Sequence, residues 1–99
     1  MKAGTNLENV LESGMFAVTA EAGPPKGAGA RVLQRKAEVL HTCCDAVNVT
    51  DNQTAIVRMS SLAGCVLLLQ AGTEPVMQMV TRDRNRIALQ SDVLGAVAL

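Results

Sequence analysis

The chain has 99 residues, 48% of them apolar, with one Phe, no Trp, no Tyr and a formal net charge of zero. That length bounds it to one small domain, and that apolar content excludes a disordered tail. The balanced charge leaves no electrostatic footprint for nucleic acid, and no apolar run approaches the ~20 residues of a membrane span.

The polar, acid-bearing start from Met1 to Ser13 lacks the basic, apolar, small-residue order of a signal peptide. Three cysteines, two of them adjacent at Cys43 and Cys44, make no disulfide framework. A reducing, cytoplasmic setting is the plain expectation. Val, Leu, Ala, Met and Ile supply the apolar content. That mixture suits a parallel sheet covered by helices, and a piece of a larger core more than a complete small one, which usually leans on large aromatics.

Residues 6–13 predict a short leading helix closed by Gly14. MFAVTAEA (15–22) predicts a first strand, with apolar and β-branched residues and no helical stripe. GPPKGAGA (23–30) breaks it, because Pro24 and Pro25 have no N–H to donate. Residues 31–41 predict a helix with Val32, Leu33, Ala37 and Leu40 on one face.

DAVNVT (45–50) predicts the second strand. A helix follows near 59–71, with Ser60 or Ser61 as cap and Gly72 as stop. It is apolar almost all round, which implies burial on more than one side. EPVMQMV (74–80) predicts the third strand. TRDR then leads into a third helix from about Asn85, which runs to Leu99 with no Gly or Pro stop.

The predicted strands start near 16, 46 and 75. An eight-fold barrel of ~250 residues has a period of about 31, and strand–helix–strand order at this spacing gives parallel pairing by right-handed crossovers. A doubly wound open sheet is the alternative, but GPPKGAG is not its glycine-rich phosphate fingerprint. The expected fold is therefore α/β, a parallel (β/α)8 TIM barrel of which residues 1–99 form the first three βα units. Strand order 1-2-3 with the helices on one side would fit. Without further strands, the inward faces of Val18, Val47 and Met77 or their neighbours would lack a core. The isolated chain is then expected to aggregate or stay molten.

In either parallel architecture, ligand chemistry collects at the C-terminal ends of the strands. Three polar sets fall there: Glu21; Asn48, Thr50, Asp51, Asn52 and Gln53; and Gln78, Thr81, Arg82 and Asp83. A carboxyl at a strand end facing an apolar mouth can serve as a general acid near neutral pH. A surface Glu, or one paired with Lys26 or an arginine, accounts for Glu21 equally well. Arg82, Arg84 and Arg86 suit a phosphate, or else pair with an Asp83 that caps the next helix. His41, Cys43, Cys44 and Asp45 do not have zinc-ligand spacing. Cys65 reads as core filling.

VTAEAGPPKG (18–27), DAVNVTDNQTAIVRMSS (45–61) and QMVTRDRNRIALQSDVLGA (78–96) resemble the N-terminal part of methylenetetrahydrofolate reductases, closest to the branch of anaerobic and acetogenic microbes. The resemblance implies a barrel of roughly 300 residues, within the range of that fold. It also implies a flavin (FAD or FMN) at the mouth and cytoplasmic one-carbon metabolism. NAD(P)H or another donor would reduce the flavin, which would reduce 5,10-methylenetetrahydrofolate to 5-methyltetrahydrofolate.

The family's general acid is a Glu ending the first strand shortly before Pro-Pro, and Glu21 with Pro24 and Pro25 matches it. Ala22-Gly23 stand where many relatives have two aromatics. Thr50 matches a flavin-contacting Thr, Asp51 and Gln53 fall where the next flavin contacts lie, and Gln78 replaces a His. The electron donor, and the need for a partner subunit or a homo-oligomer, stay open. A stand-alone α/β binding or interaction module is the alternative without catalysis.

Overall fold

The structure, a computed structural model, describes residues 3–99. Its elements run α1 (Asn6–Glu12), β1 (Thr19–Ala22), α2 (Ala30–Leu40), β2 (Ala46–Val49), a 3-10 turn (Gln53–Ala55), α3 (Ser61–Gln70), β3 (Pro75–Met77) and α4 (Arg86–Ala98). The three strands form one parallel sheet in the order β1-β2-β3. The chain is thus an α/β protein in which parallel strands alternate with helices. Among the described residues, no helix is long and apolar enough to cross a membrane.

The helix ends follow local chemistry. Thr5 caps α1 by accepting the Glu8 N–H, Ser60 caps α3 by accepting the Ala63 N–H, and Asn85 caps α4 by accepting the Ala88 N–H. Asp83 is therefore not the cap; it pairs with Arg82 instead. Gly14 and Gly72 take left-handed φ of +74° and +77° just past α1 and α3, a conformation that favours glycine.

The first and third strands are shorter than the sequence predicts. Asp45 donates its N–H to the Val18 carbonyl and accepts the Val18 N–H on its own carboxylate. A side chain thus takes the donor that a longer β1 would have offered. Met15 and Phe16 fall outside the ladder, and Phe16 is 91% exposed. At the other end, Gln78 still donates to the Val49 carbonyl, but the Val80 N–H goes to the Asp51 carboxylate.

Side chains alternate across a strand, so each sheet face has its own set. Ala22, Val47 and Val49 pack with Leu33 and Ala37 of α2 and with Cys65 and Leu68 of α3; Met77 packs against this cluster. Both helices therefore cover the same face. This corrects the expectation for Val47 and Met77, which point into the helix-covered core and not toward an empty interior. The reason is in β2 itself, AVNV, where apolar residues occupy both faces and only Asn48 marks the other one.

α1 lies across the N-terminal ends of β2 and β3. The Asn6 and Leu7 N–H groups at its start donate to the Glu74 carboxylate at 2.6 and 3.1 Å, and the Asn6 amide donates to the Asp45 carbonyl. An acid at a helix N-terminus is favoured by the unpaired N–H groups there.

α3 approaches β2 most closely at Gly64. A Cβ there would lie 2.8 Å from Val49 Cγ1 and 3.3 Å from Leu33 Cδ1, and both residues are fully buried. Gly64→Ala should therefore destabilise the fold by about 1–3 kcal/mol through overpacking, despite the better helix propensity of Ala. Urea denaturation checks this; unchanged or raised stability would show that α3 can shift away freely.

Candidate functional site

The face of the sheet opposite α2 and α3 carries the candidate site. In register, Glu21 lies beside Asn48 and Asn48 beside Val76. Two residues further along each strand come Gly23, Thr50 and Gln78, on the same face by alternation. In register, Glu21, Thr50 and Gln78 thus fall on one side of the sheet at the C-terminal ends of the strands, Glu21 exposed, Gln78 half-buried and Thr50 buried.

Their surroundings differ. Glu21 is exposed and, among the described residues, has no ion pair or side-chain hydrogen bond. Neither Lys26 nor an arginine pairs with it, and it lines an open groove with Arg35, Lys36, Val39 and Leu40 of α2. Asn48 donates its amide to the Ala20 carbonyl at 3.2 Å. Thr50 is only 4% exposed, and its hydroxyl has no hydrogen-bond partner among the described residues. A buried polar group left unpaired costs roughly 1–3 kcal/mol. Gly23 lies next to it: a Cβ on Gly23 would be 3.5 Å from Thr50 Oγ1 and 3.8 Å from Gln53 Oε1.

Asp51 is placed differently from its neighbours. Its carboxylate is buried and accepts from Arg84 through both terminal nitrogens, with Nη2 at 2.9 Å from Oδ1 and Nη1 on Oδ2. It also accepts the Val80 N–H at 2.8 Å. Arg84 continues to the Val80 carbonyl and to Asp92. The bidentate geometry is the strong form of a charge-assisted hydrogen bond. Arg84 holds the Asp51 carboxyl below its ordinary range, and Asp51 holds the guanidinium above its own. With both oxygens occupied, the Asp51 side chain ties the end of β2 to the loop after β3.

The loop after β2 is held in an uncommon shape. Asn52, Thr54 and Ala55 all have positive φ, between 42° and 60°, a region non-glycine residues seldom occupy. Asn52 is fixed from several sides. Its Oδ1 accepts the Arg58 N–H, its Nδ2 donates to Asp51, and its carbonyl accepts from Arg82. Arg58 Nη1 donates to the Pro24 carbonyl, and the Met59 N–H donates to the Pro25 carbonyl at 2.9 Å. Lys36 Nζ donates to the Gly23 carbonyl at 2.8 Å. The loops after all three strands are therefore tied together, and Gln53 is presented beside Gly23.

Arg82 is engaged by Asp83 and the Asn52 carbonyl, and Arg84 by Asp51 and Asp92. Two of the three arginines read as phosphate ligands thus already hold protein partners. The Cys43 and Cys44 thiols donate to the Val39 and Leu40 carbonyls near the end of α2. Cys65 is buried in the core, and burial pushes its thiol up to about 11. The residues the sequence reading missed are Arg58, which ties the loop after β2 to Pro24, and Arg84 as the partner of Asp51.

No protein-family model, curated protein or solved structure matches the chain.

The pH behaviour of the Asp51–Arg84 pair follows from its direction of shift. A carboxylate held below its unfolded value of about 3.9 contributes stability that is full above that value. The contribution is lost as pH falls through the lower folded value. Asp51→Asn should therefore be less stable than wild type at pH 7, by about 3–5 kcal/mol for breaking a buried pair. It should lose less stability than wild type between about pH 4 and pH 2. Urea unfolding along a pH series measures both; parallel curves would remove Asp51 from the acid sensitivity.

Proposed function

We propose that these strand–helix units are the start of a parallel (β/α)8 barrel. In this reading its mouth binds a flavin, FAD or FMN, and reduces 5,10-methylenetetrahydrofolate to 5-methyltetrahydrofolate. The observation that carries the reading is the alignment of Glu21, Thr50 and Gln78 on one face of the sheet at its C-terminal end. Strand order 1-2-3, with α2 and α3 on one face, supports the barrel. So do the apolar surfaces that residues 3–99 leave uncovered, among them Ile87, Leu94 and Val97 of α4. The motifs around Glu21, Thr50 and Gln78 support the methylenetetrahydrofolate reductase assignment.

The residues present fit a flavin. Thr50 offers a buried hydroxyl with no protein partner, and Gly23 leaves a cradle beside it that a Cβ would fill. Thr50, Gln53 and Gln78 would hold the ring through neutral hydrogen bonds. Asp51 would act through Arg84 to keep the loops in place. Bound flavin supplies the hydride, which it receives from NAD(P)H or another donor. Glu21 stands on the same face without a protein partner, free to carry a proton to the substrate. It would protonate the leaving nitrogen of the five-membered ring and open it to the iminium that accepts the hydride.

Glu21→Gln keeps the shape and removes the proton. General acid catalysis is worth about 10²–10⁴-fold, so the folate half-reaction should slow by that factor in the protein purified at its natural length. Flavin reduction by the donor should change by less than about tenfold, roughly 1.4 kcal/mol of barrier. Stopped-flow absorbance separates the halves, with flavin bleached by donor and recovered with folate. Equal slowing of both halves would make Glu21 structural or flavin-binding. A wild-type protein with neither flavin nor turnover would leave the interaction-module reading.

A further inference from the structure

A groove of about 670 Å³ runs between the start of α2, the loop after β2 and α3. Small-molecule sites have volumes of roughly 300–1,000 Å³. Its floor is Met59 and Leu67, which rest on the core, and Val57 and Val66 add further aliphatic surface. Val57 is 82% exposed. It is nevertheless held in place, because the Arg58 N–H after it donates to Asn52 and the Met59 N–H donates to the Pro25 carbonyl. The apolar surface is therefore preformed and open to solvent.

Lys26 and Arg58 supply the charges of this groove. Among the described residues, no acid and no aromatic side chain lines it. Neither cation has an ion pair there. Arg58 is half-buried, and its Nη1 donates to the Pro24 carbonyl at 3.2 Å. Its Nε is buried with no hydrogen bond, and Nη2 has no acceptor among the described residues. A guanidinium grips an oxyanion through two parallel N–H groups, and the Nε–Nη2 edge of Arg58 is left without an acceptor. A buried donor left unpaired is costly and calls for a partner. α2 adds three cations, Arg31, Arg35 and Lys36, against one acid, Glu38. The field along this helix is thus positive although the chain is neutral overall.

We propose that this groove binds a small amphipathic anion, an aliphatic chain with one carboxylate or phosphate head, the head held by Arg58 and Lys26 and the chain laid on Met59, Val66 and Leu67. The aliphatic lining selects a chain over a nucleobase, which is gripped by stacking on aromatic rings. The unpaired cations select an anionic head over a neutral one. The proposal does not rest on the flavin reading, since Glu21, Thr50 and Gln78 do not line this groove.

Calorimetry on the protein purified at its natural length tests it. The probes are octanoate and octyl phosphate, kept below the concentrations at which they form micelles. 1-Octanol and inorganic phosphate represent the two halves of the ligand. Each amphiphile should bind about tenfold or more tightly than either half, since head and chain then contribute together. Lys26→Glu should weaken both amphiphiles by about threefold to tenfold, and added salt should then weaken octanoate less than it does in wild type. Arg58→Lys keeps the charge and loses the planar fork, and should cost about tenfold. Ala63 is exposed on α3 and lines the groove, so Ala63→Phe should fill it and weaken both amphiphiles by about tenfold or more. Because Arg58 also ties two loops together, melting of each unliganded protein is measured in parallel. Lys26→Glu and Ala63→Phe, both at exposed positions, should melt near the wild-type temperature and carry the test even if Arg58→Lys unfolds early.

Octanol binding as tightly as octanoate would show that the cations do not contribute, and would overturn the proposal. So would a wild-type protein that binds neither amphiphile, or that binds only vesicles of anionic lipid. If Ala63→Phe changes the oligomeric state in sedimentation while amphiphile binding is unchanged, the groove is a contact between copies of the chain and the proposal is wrong.

Discussion

The buried pair of Asp51 and Arg84 is the contact on which the C-terminal end of the sheet depends. Asp51 directly follows Thr50 at the end of β2, and Arg84 precedes α4, so 33 residues of chain are closed by one bidentate contact. The same carboxylate takes the Val80 N–H and so ends β3. Its neighbour Asn52 is held by Arg58 and Arg82, and Arg58 reaches back to Pro24. Three loops that the sequence separates are joined through this set. A buried ion pair gives little net stability compared with apolar packing. Its value here is positional, because it fixes a loop whose residues with positive φ would otherwise relax.

What that ordering positions is the open face of the sheet. The helix-covered face has a compact core of Ala22, Leu33, Ala37, Val47, Val49, Cys65 and Leu68. The other face presents Glu21, Asn48, Val76 and, beyond them, Gly23, Thr50 and Gln78. Asn48 satisfies its amide on the backbone of β1, whereas Glu21 and the Thr50 hydroxyl find no protein partner among the described residues. Polar groups left unmet on a face at the C-terminal ends of parallel strands are where this architecture places ligands.

Much of this was legible in the sequence, for physical reasons. Element order and parallel pairing follow from strand runs about one βα unit apart, which constrain the crossovers strongly. Ser60, Gly14 and Gly72 could be placed because capping and left-handed turns use few residue types. Strand ends could not be placed, because Asp45 and Asp51 take the N–H groups of Val18 and Val80 with their side chains. The facing of Val47 and Met77 was misassigned because apolar residues fall on both sides of β2 and β3, and alternation then loses its signal. The places of Glu21, Thr50 and Gln78 at the strand ends were legible from the strand runs. The partnership of Asp51 with Arg84 was not, since a contact across two loops leaves no periodic trace. Arginines at 82, 84 and 86 beside Asp83 suggested only local pairing.

Amide hydrogen exchange tests the ordering role of Asp51 and Arg84 most directly. In Arg84→Met, the Val80, Arg58 and Met59 amides should lose protection together, because all three report on loops joined through Asp51 and Asn52. The Val47 amide, which donates within the sheet to Glu74, should keep far more of its protection. Loss at Val80 alone, with Arg58 and Met59 as protected as in wild type, would contradict the account and show that the loops order independently.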